Sequence, residues 1–250
     1  MCTLPPSPDK NMKYILANPT GNITALVTGE VAQDERLKVV REIFDTEPSC
    51  EQVGFVDVAG DKRISLEMMG GEFCGNATLS AAAYCAKTNR LADEETIIVD
   101  SSGADEPVPV KLVRLEENYY KGTLEMPVPV LDGTVVHLDG ISHKIVSSDT
   151  MSHEEAEAAI KGYADQIDAL AFGIILYSEM DDDVSIEPLV YVKGSDTMVW
   201  EHGCASGSIA AAYYRYNITD DTKINVHQPG GIITIDITDD KLYLTGDIRF

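Results

Sequence analysis

The stretch Glu72-Phe73-Cys74-Gly75-Asn76-Ala77-Thr78 decides the fold, because a related stretch, Cys204-Ala205-Ser206-Gly207, follows 130 residues later. In both copies the cysteine precedes a run of small and apolar residues. Such a run is typical of the first turn of a buried, alanine-rich helix. The recurrence therefore predicts a duplicated chain with one cysteine-led helix in each half.

Other signals recur in the same order in the two halves, which favours internal duplication over a chance match. They are a helical pattern at 33–44 and 153–170, apolar strands at 53–58 and 172–177, further strands at 64–68 and 188–192, and glycine-broken strands at 97–103 and 224–231. We predict an α+β fold of two pseudo-symmetric lobes, each a mostly antiparallel sheet curled around a central helix. The predicted domains are 1–127 and 128–250, divided near Pro127-Val128-Pro129, with a C-terminal strand near 242–250 packing onto the first.

The composition is strongly acidic. The chain carries 42 Asp and Glu residues against 19 Lys and Arg, for a formal net charge of −23. A field of this sign repels polyanions, so we expect no nucleic-acid partner and no membrane partner. We expect a small-molecule partner instead, although adaptation to a salt-rich habitat explains the acidity equally well. A homodimer is left open, because the sequence does not fix the oligomeric state.

The cysteines indicate a reduced protein. Cys2, Cys50, Cys74, Cys85 and Cys204 form no CxxC pair and have no histidine at metal-ligand spacing, which argues against a disulfide framework or a metal site. Cys50 and Cys85 lack counterparts in the other half, so we interpret them as structural. The N-terminal residues show no basic segment followed by an apolar one, and we expect a cytoplasmic location.

Two thiols in matched positions favour proton transfer at a carbon atom. A thiol at a helix start has its thiolate stabilised by free backbone N–H groups and by the helix dipole. If Cys74 and Cys204 face one α-carbon from opposite sides, one thiolate removes the hydrogen and the other thiol returns one, which inverts the centre. This scheme uses neither pyridoxal phosphate nor a metal, and we expect no cofactor.

The helix starts also predict where the substrate carboxylate binds. We expect the backbone N–H groups of Gly75 and Asn76, and those of Ala205 and Ser206, to be free in the first turn of each helix. Such groups form an anion hole, which also stabilises the charge that develops on the carboxylate in the transition state.

Acidic and amide side chains are candidates for the rest of an amino acid. Glu201 is predicted to accept the ammonium group, with Glu72 as its weaker counterpart, and Asn22 is predicted to orient either end of a zwitterion. Glu51, with Gln52 beside it, suits a cationic or hydrogen-bond-donating side chain such as imidazole. The alternative is that Glu51 only caps a strand or faces water.

The cysteine stretches, with Gln228-Pro229-Gly230-Gly231, resemble the diaminopimelate epimerase-like superfamily of cofactor-independent racemases and epimerases. Four further stretches are similar to its histidine racemase branch, which feeds opine-type metallophore synthesis: residues 18–22, 50–55, 199–201 and 226–231. The resemblance implies two pseudo-symmetric lobes that close over an amino acid, and it implies that Cys74 and Cys204 are the acid–base pair.

Two departures from the family pattern bear on the substrate. Diaminopimelate epimerase follows the glutamate at Glu201 with an arginine that holds a distal carboxylate, whereas this chain has His202. The histidine racemase branch usually has glycine where this chain has Ala205. We therefore predict an amino-acid racemase acting on histidine or another basic amino acid. A diaminopimelate-type epimerase, another isomerase of this fold and a non-catalytic amino-acid-binding protein stay open as alternatives.

Overall fold

The computed structural model describes residues 13–194, 196–238 and 241–250. Cys2 and the N-terminal residues from which a cytoplasmic location was predicted lie outside the described residues. The helices are α1 (Arg36–Thr46), α2 (Gly75–Thr88), α3 (His153–Ala164) and α4 (Ala205–Thr219). Among the described residues, no helix combines the length and the apolar character needed to cross a lipid bilayer.

The strands of the described chain join into one sheet. They are β1 (Tyr14–Pro19), β2 (Thr24–Val27), β3 (Gln52–Gly60), β4 (Arg63–Met68), β5 (Glu94–Ser101), β6 (Val108–Glu116), β7 (Tyr119–Met126), β8 (Val130–Asp132), β9 (Val135–Leu138), β10 (Ile141–Ser147), β11 (Ala171–Met180), β12 (Asp183–Val192), β13 (Thr197–Trp200), β14 (Lys223–Gln228), β15 (Gly231–Thr238) and β16 (Lys241–Arg249). The protein thus has a mixed α+β fold with few helices, in which the sheet forms most of the scaffold.

Each helix connects two parallel strands, and the other strand pairs are antiparallel. Helix α1 lies between β2 and β3, α2 between β4 and β5, α3 between β10 and β11, and α4 between β12 and β14. Parallel neighbours need a crossover connection, which a helix supplies.

The C-terminal strand β16 closes part of the sheet. It pairs with β7, with β15 and with β1, so strands β1 to β7 and β16 form a closed, barrel-like ring. The backbone N–H of Thr20, just after β1, donates to the carbonyl of Asp247 at 3.0 Å. The C-terminal strand therefore fixes the loop that follows β1.

The two cysteine-led helices are the buried ones. Helix α2 contacts every strand of the ring, and α4 contacts strands β9 to β12, β14 and β15. The alanines in the middle of each helix are fully buried; they are Ala81, Ala82 and Ala83 in α2 and Ala210, Ala211 and Ala212 in α4. Small side chains let strands pack closely around a helix on all sides. Helices α1 and α3 instead pack on the outside in two smaller cores.

Three predicted helix boundaries were wrong, and one of them is the end of α1, which lies at Thr46 rather than 44. Helix α1 begins at Arg36 rather than 33, because a turn closed by the N–H of Glu35 and the carbonyl of Ala32 precedes it. Helix α3 ends at Ala164 rather than 170. The N–H of Gln166 donates to the carbonyl of Tyr163, which tightens the last turn and ends the helix.

Candidate active site

Both predicted helix starts are confirmed, and each cysteine is the N-cap of its helix. The Sγ atom of Cys74 accepts from the N–H of Ala77 at 3.5 Å, and the Sγ atom of Cys204 accepts from the N–H of Gly207 at 3.2 Å. Both cysteines have extended backbone angles, as N-cap residues do. Each sulfur therefore lies at the positive end of a helix dipole.

The two helix starts touch each other. A Cβ atom added to Gly75 would lie 3.4 Å from the Cβ of Ala205 and 3.2 Å from the sulfur of Met126. The side-chain amide of Asn76 donates to the carbonyl oxygen of Gly203 at 3.1 Å, which joins the first turn of α2 to the residue before Cys204. Four residues predicted for the carboxylate site, at the starts of α2 and α4, thus lie at one junction.

Two glycines allow the surrounding loops to approach closely. A Cβ on Gly203 would overlap the carbonyl oxygen of Thr20, and a Cβ on Gly230 would overlap the backbone of Gly21. The N–H of Gly230 also donates to the carbonyl of His202 at 2.7 Å. The loop before β2, the turn before Cys204 and the turn after β14 therefore meet beside the thiols.

A hydrogen-bond network connects three of the predicted residues to Cys74. The thiol of Cys74 donates to Oε1 of Gln52 at 3.1 Å. The Nε2 atom of Gln52 donates to Oδ1 of Asn22 and, at 2.9 Å, to Oγ1 of Thr24. The Nδ2 atom of Asn22 donates to Oε2 of Glu51 at 2.6 Å. Gln52 thus contacts a thiol directly, a role that the sequence pattern did not indicate.

Glu51 faces an imidazole of the protein itself. Its Oε1 atom lies 2.7 Å from Nδ1 of His202, and its side chain is only 12% exposed while that of His202 is 66% exposed. The alternative in which Glu51 merely faces water is therefore wrong. The bond joins the loop before β3 to the turn before Cys204, across the junction of the two helix starts.

Acidic groups surround the sulfurs. Burial raises the pKa of the Cys74 thiol to about 11, and the negative charges of Glu72 and Glu201 add to this. Burial and Glu201 also raise the pKa of Cys204 well above its ordinary value. Glu201 therefore acts on both thiols, whereas Glu72 is exposed and acts on Cys74. Burial, together with the charge of Glu51, raises the pKa of Glu201 to about 7.

Residues 11–246 match a family model described as the N-terminal domain of the histidine racemase CntK. The chain belongs to the histidine racemase family. A histidine racemase of Fusobacterium nucleatum subsp. nucleatum is 32% identical over 95% of this chain and 94% of its own length. A histidine racemase of Staphylococcus aureus is 27% identical over 87% of this chain and 85% of its own length.

Solved structures share the fold of this racemase at low sequence identity. A predicted epimerase from Pseudomonas aeruginosa superposes with a TM-score of 0.69 at 12% identity, covering 96% of both chains. A probable proline racemase from Agrobacterium radiobacter has a TM-score of 0.66 at 10% identity and covers 96% of this chain and 91% of its own. These structures show the fold, and the match to the histidine racemase family shows that the protein is an isomerase.

In the racemase, two side chains that were not predicted as site residues lie near Cys204: Gln228 contacts it directly, and His143 contacts it through the hydroxyl of Ser206. The Oε1 atom of Gln228 accepts from the backbone N–H of Cys204 at 2.8 Å. The hydroxyl of Ser206 lies 3.4 Å from the Cys204 sulfur and 2.9 Å from Nε2 of His143. Gln228 was within a recognised family stretch, but His143 is distant in sequence and carried no signal.

The other candidates lie outside the racemase site. Cys50 and Cys85 are buried in hydrophobic clusters, as their structural interpretation predicted. An open groove of about 1160 Å³, lined by the loop before α1, strands β3 to β5 and the loop after β5, contains neither Cys74 nor Cys204. Within the described ranges, no group of three or more potential ligands could hold a metal ion.

Proposed function

We propose that this racemase interconverts L- and D-histidine, with Cys74 and Cys204 as its two acid–base groups and without a cofactor. One observation carries the proposal: each sulfur caps its own helix, and the two helix starts meet at Gly75 and Ala205. One thiolate takes the α-hydrogen as a proton while the opposite thiol gives its proton to the other face. The two cysteines exchange protonation states in each turnover.

The substrate carboxylate binds to backbone N–H groups at the two helix starts. The first N–H groups of a helix have no partner within it, and their dipoles favour an anion. Gly75 and Asn76 supply such groups on α2, and Ala205 and Ser206 supply them on α4. Because the two starts are in contact, both sets can reach one carboxylate and stabilise the charge that it gains in the transition state.

The substrate ammonium binds Glu201 and thereby activates the thiols. Glu201 has a pKa near 7 and its charge raises the pKa of both cysteines. An ammonium group beside it offsets this negative charge, so the pKa of each thiol falls when substrate binds. Binding and thiolate formation are therefore coupled. Glu72, which is exposed and acts on Cys74 alone, contributes less.

Glu51 recognises the imidazole of the substrate. It already accepts an imidazole, that of His202, while Asn22 holds its other oxygen and Gln52 links Asn22 to Cys74. The same carboxylate could accept the imidazole of a bound histidine once His202 moves away. Diaminopimelate is disfavoured, because Glu51 and Glu201 would repel the second carboxylate at the end of its side chain.

The architecture proposed for this chemistry is a pair of pseudo-symmetric lobes, 1–127 and 128–250, that arose by duplication. In the first half, α1 and α2 each connect two parallel strands, and in the second half α3 and α4 do the same. This repeated order supports the duplication. Because Cys204 is only 4% exposed, the lobes must part for substrate to reach it. The net charge of −23 supports a small-molecule substrate and no nucleic-acid or membrane partner, and the reduced cysteines support a cytoplasmic location.

Hydrogen exchange in heavy water tests the proposal. The protein is incubated with single L-amino acids, and NMR follows loss of the α-proton signal while a chiral separation follows the D-isomer. We expect exchange and racemisation of histidine and little of either for diaminopimelate or proline. Exchange of diaminopimelate alone would support the epimerase alternative. Binding without exchange of any amino acid would support the non-catalytic alternative.

A further inference from the structure

His143 is a fully buried histidine that the two-thiol scheme does not use. It lies on β10 with no exposed surface, and burial lowers its pKa to about 3, so its ring is neutral at ordinary pH. Its register neighbours are Val136 on β9 and Gly173 on β11, neither of which is charged. Its Nε2 atom lies 2.9 Å from the hydroxyl oxygen of Ser206 on α4.

Gly173 makes the space that the ring occupies. A Cβ on Gly173 would overlap Nδ1 of His143, so any other residue would displace the imidazole. The Nδ1 atom is buried and has no hydrogen-bond partner among the described residues. A neutral imidazole carries its proton on one nitrogen only. Since a buried N–H without an acceptor is rarer than a buried acceptor without a donor, the proton belongs on Nε2.

This tautomer sets the direction of the next hydrogen bond. With the proton on Nε2, His143 donates to the oxygen of Ser206, and the hydroxyl proton of Ser206 is free to point elsewhere. The Cys204 sulfur lies 3.4 Å from that oxygen, within the range of a bond to sulfur. A hydroxyl that donates to a sulfur stabilises the thiolate over the thiol.

We propose that His143 is a positioning residue which, through Ser206, holds a hydroxyl donor on the Cys204 sulfur and so favours its thiolate. The inference rests on the proposed acid–base role of Cys204. The hydrogen bond from Ser206 offsets part of the effect of Glu201, whose negative charge disfavours the Cys204 thiolate. Glu51 in turn acts on Glu201. Cys74 has a different arrangement, because its thiol donates to the side-chain oxygen Oε1 of Gln52.

Four variants test this proposal. They are His143→Leu, His143→Gln, Ser206→Ala and the double variant that combines His143→Leu with Ser206→Ala. Glutamine places its amide N–H close to where histidine has Nε2, so it keeps a donor. His137→Leu is the matched control. His137 forms a similar pair with Ser142 at 2.9 Å on β9 and β10.

The first readout is the rate at which iodoacetamide alkylates Cys204, measured by mass spectrometry relative to Cys74 in the same molecule. It needs no substrate, so it is informative even if the protein does not racemise histidine. We expect His143→Leu and Ser206→Ala each to slow the relative rate roughly tenfold, between about pH 7 and pH 9, because the thiolate fraction falls. The double variant should equal Ser206→Ala, and His143→Gln should recover most of the rate.

The second readout is the pH profile of kcat/KM for L-histidine, provided that the unsubstituted protein racemises it. We expect the acid limb to move to higher pH in His143→Leu and to stay in place in His137→Leu. An unchanged relative alkylation rate in folded His143→Leu would overturn the proposal. A further loss on adding His143→Leu to Ser206→Ala would overturn it as well, since the effect would then not pass through the hydroxyl.

Discussion

The Nδ1 atom of His202 lies 2.7 Å from Oε1 of Glu51, a bond between residues 151 positions apart in the chain. Glu51 precedes β3, whereas His202 precedes Cys204, so the pair spans the junction where the two helix starts meet. In the proposed reaction the bond has two consequences. It holds the site closed in the absence of substrate, and it occupies the carboxylate that a substrate imidazole would use.

Replacing Glu51 should weaken histidine binding more than it slows the chemistry. We expect Glu51→Ala to raise KM for L-histidine about tenfold, with a smaller change in kcat, because the substrate loses one charge-assisted hydrogen bond. Steady-state kinetics measure both constants. Glu187→Ala is the matched control, because Glu187 pairs with His153 at 2.8 Å on an exposed surface. A KM that stays the same in Glu51→Ala would exclude Glu51 as the side-chain site.

The two cysteines should be equally indispensable. We expect Cys74→Ser and Cys204→Ser each to lower kcat for racemisation by on the order of 10³ or more, since a serine hydroxyl is a far weaker acid than a thiol. Cys85→Ser is the control, because Cys85 lies in α2 and is fully buried away from the site. A chiral assay with both L- and D-histidine measures the loss. Near-normal racemisation by either active-site variant is incompatible with two-base catalysis.

The charge of Glu201 should destabilise the empty site at high pH. Its pKa in the folded protein is raised to about 7 from the ordinary 4.5, so the folded state loses stability relative to the unfolded one as pH rises between these values. Glu201→Gln cannot ionise. We expect it to be more stable than the unsubstituted protein by on the order of 1 kcal/mol at about pH 8, with the difference vanishing below pH 4.5.

Urea unfolding of the two proteins at several pH values measures this difference. The same variant should bind histidine more weakly, since it lacks the ammonium partner. A stability gap that stays constant across the pH range would show that Glu201 does not titrate as stated.

The contact between Gly75 and Ala205 should control the spacing of the two thiols. The added Cβ in Gly75→Ala would press on Ala205 and Met126. We expect kcat to fall roughly tenfold, because small displacements of catalytic groups are costly. Ala205→Gly removes the opposing methyl group and should restore part of the activity in the double variant. Equal losses with and without Ala205→Gly would mean that this contact does not set the spacing.

The sequence predicted the parts of the fold that local patterns specify. The starts of α2 and α4 were placed correctly, since cysteine before an alanine-rich run combines an N-cap with high helix propensity. Strands β3 and β11 were located from their apolar runs, and β4 from its alternation of apolar and polar residues. Only the second half of β12 was predicted, at 188–192, because the half that begins at Asp183 is more polar. Strands β8, β9 and β13 were not predicted. Each has only three or four residues, with most of its side chains partly or fully exposed, so no alternating pattern stands out.

The candidate site was predictable where its residues lie next to the cysteines, as Glu201 and Asn76 do. Asn22, Glu51 and Gln52 are distant from the cysteines in sequence and were predicted from their side-chain chemistry, without the network that connects them to Cys74. The position of His143 against Ser206 depends on how β10 packs on α4, and the two are 63 residues apart. The pairing of Glu51 with His202 likewise depends on the long-range fold. A single sequence gives no measure of such contacts, because they arise from tertiary packing rather than from local propensity.

The position of β16 bears on when the enzyme becomes active during protein synthesis. The bond from Thr20 to Asp247 joins residues 227 positions apart, and β16 completes the ring that contains β1 and β7. A nascent chain on the ribosome can therefore form α2 and its cysteine early, but it cannot fix the loop beside them until translation reaches β16. Prematurely terminated chains would then carry the thiols without a complete catalytic centre, and they would have no racemase activity in the cell.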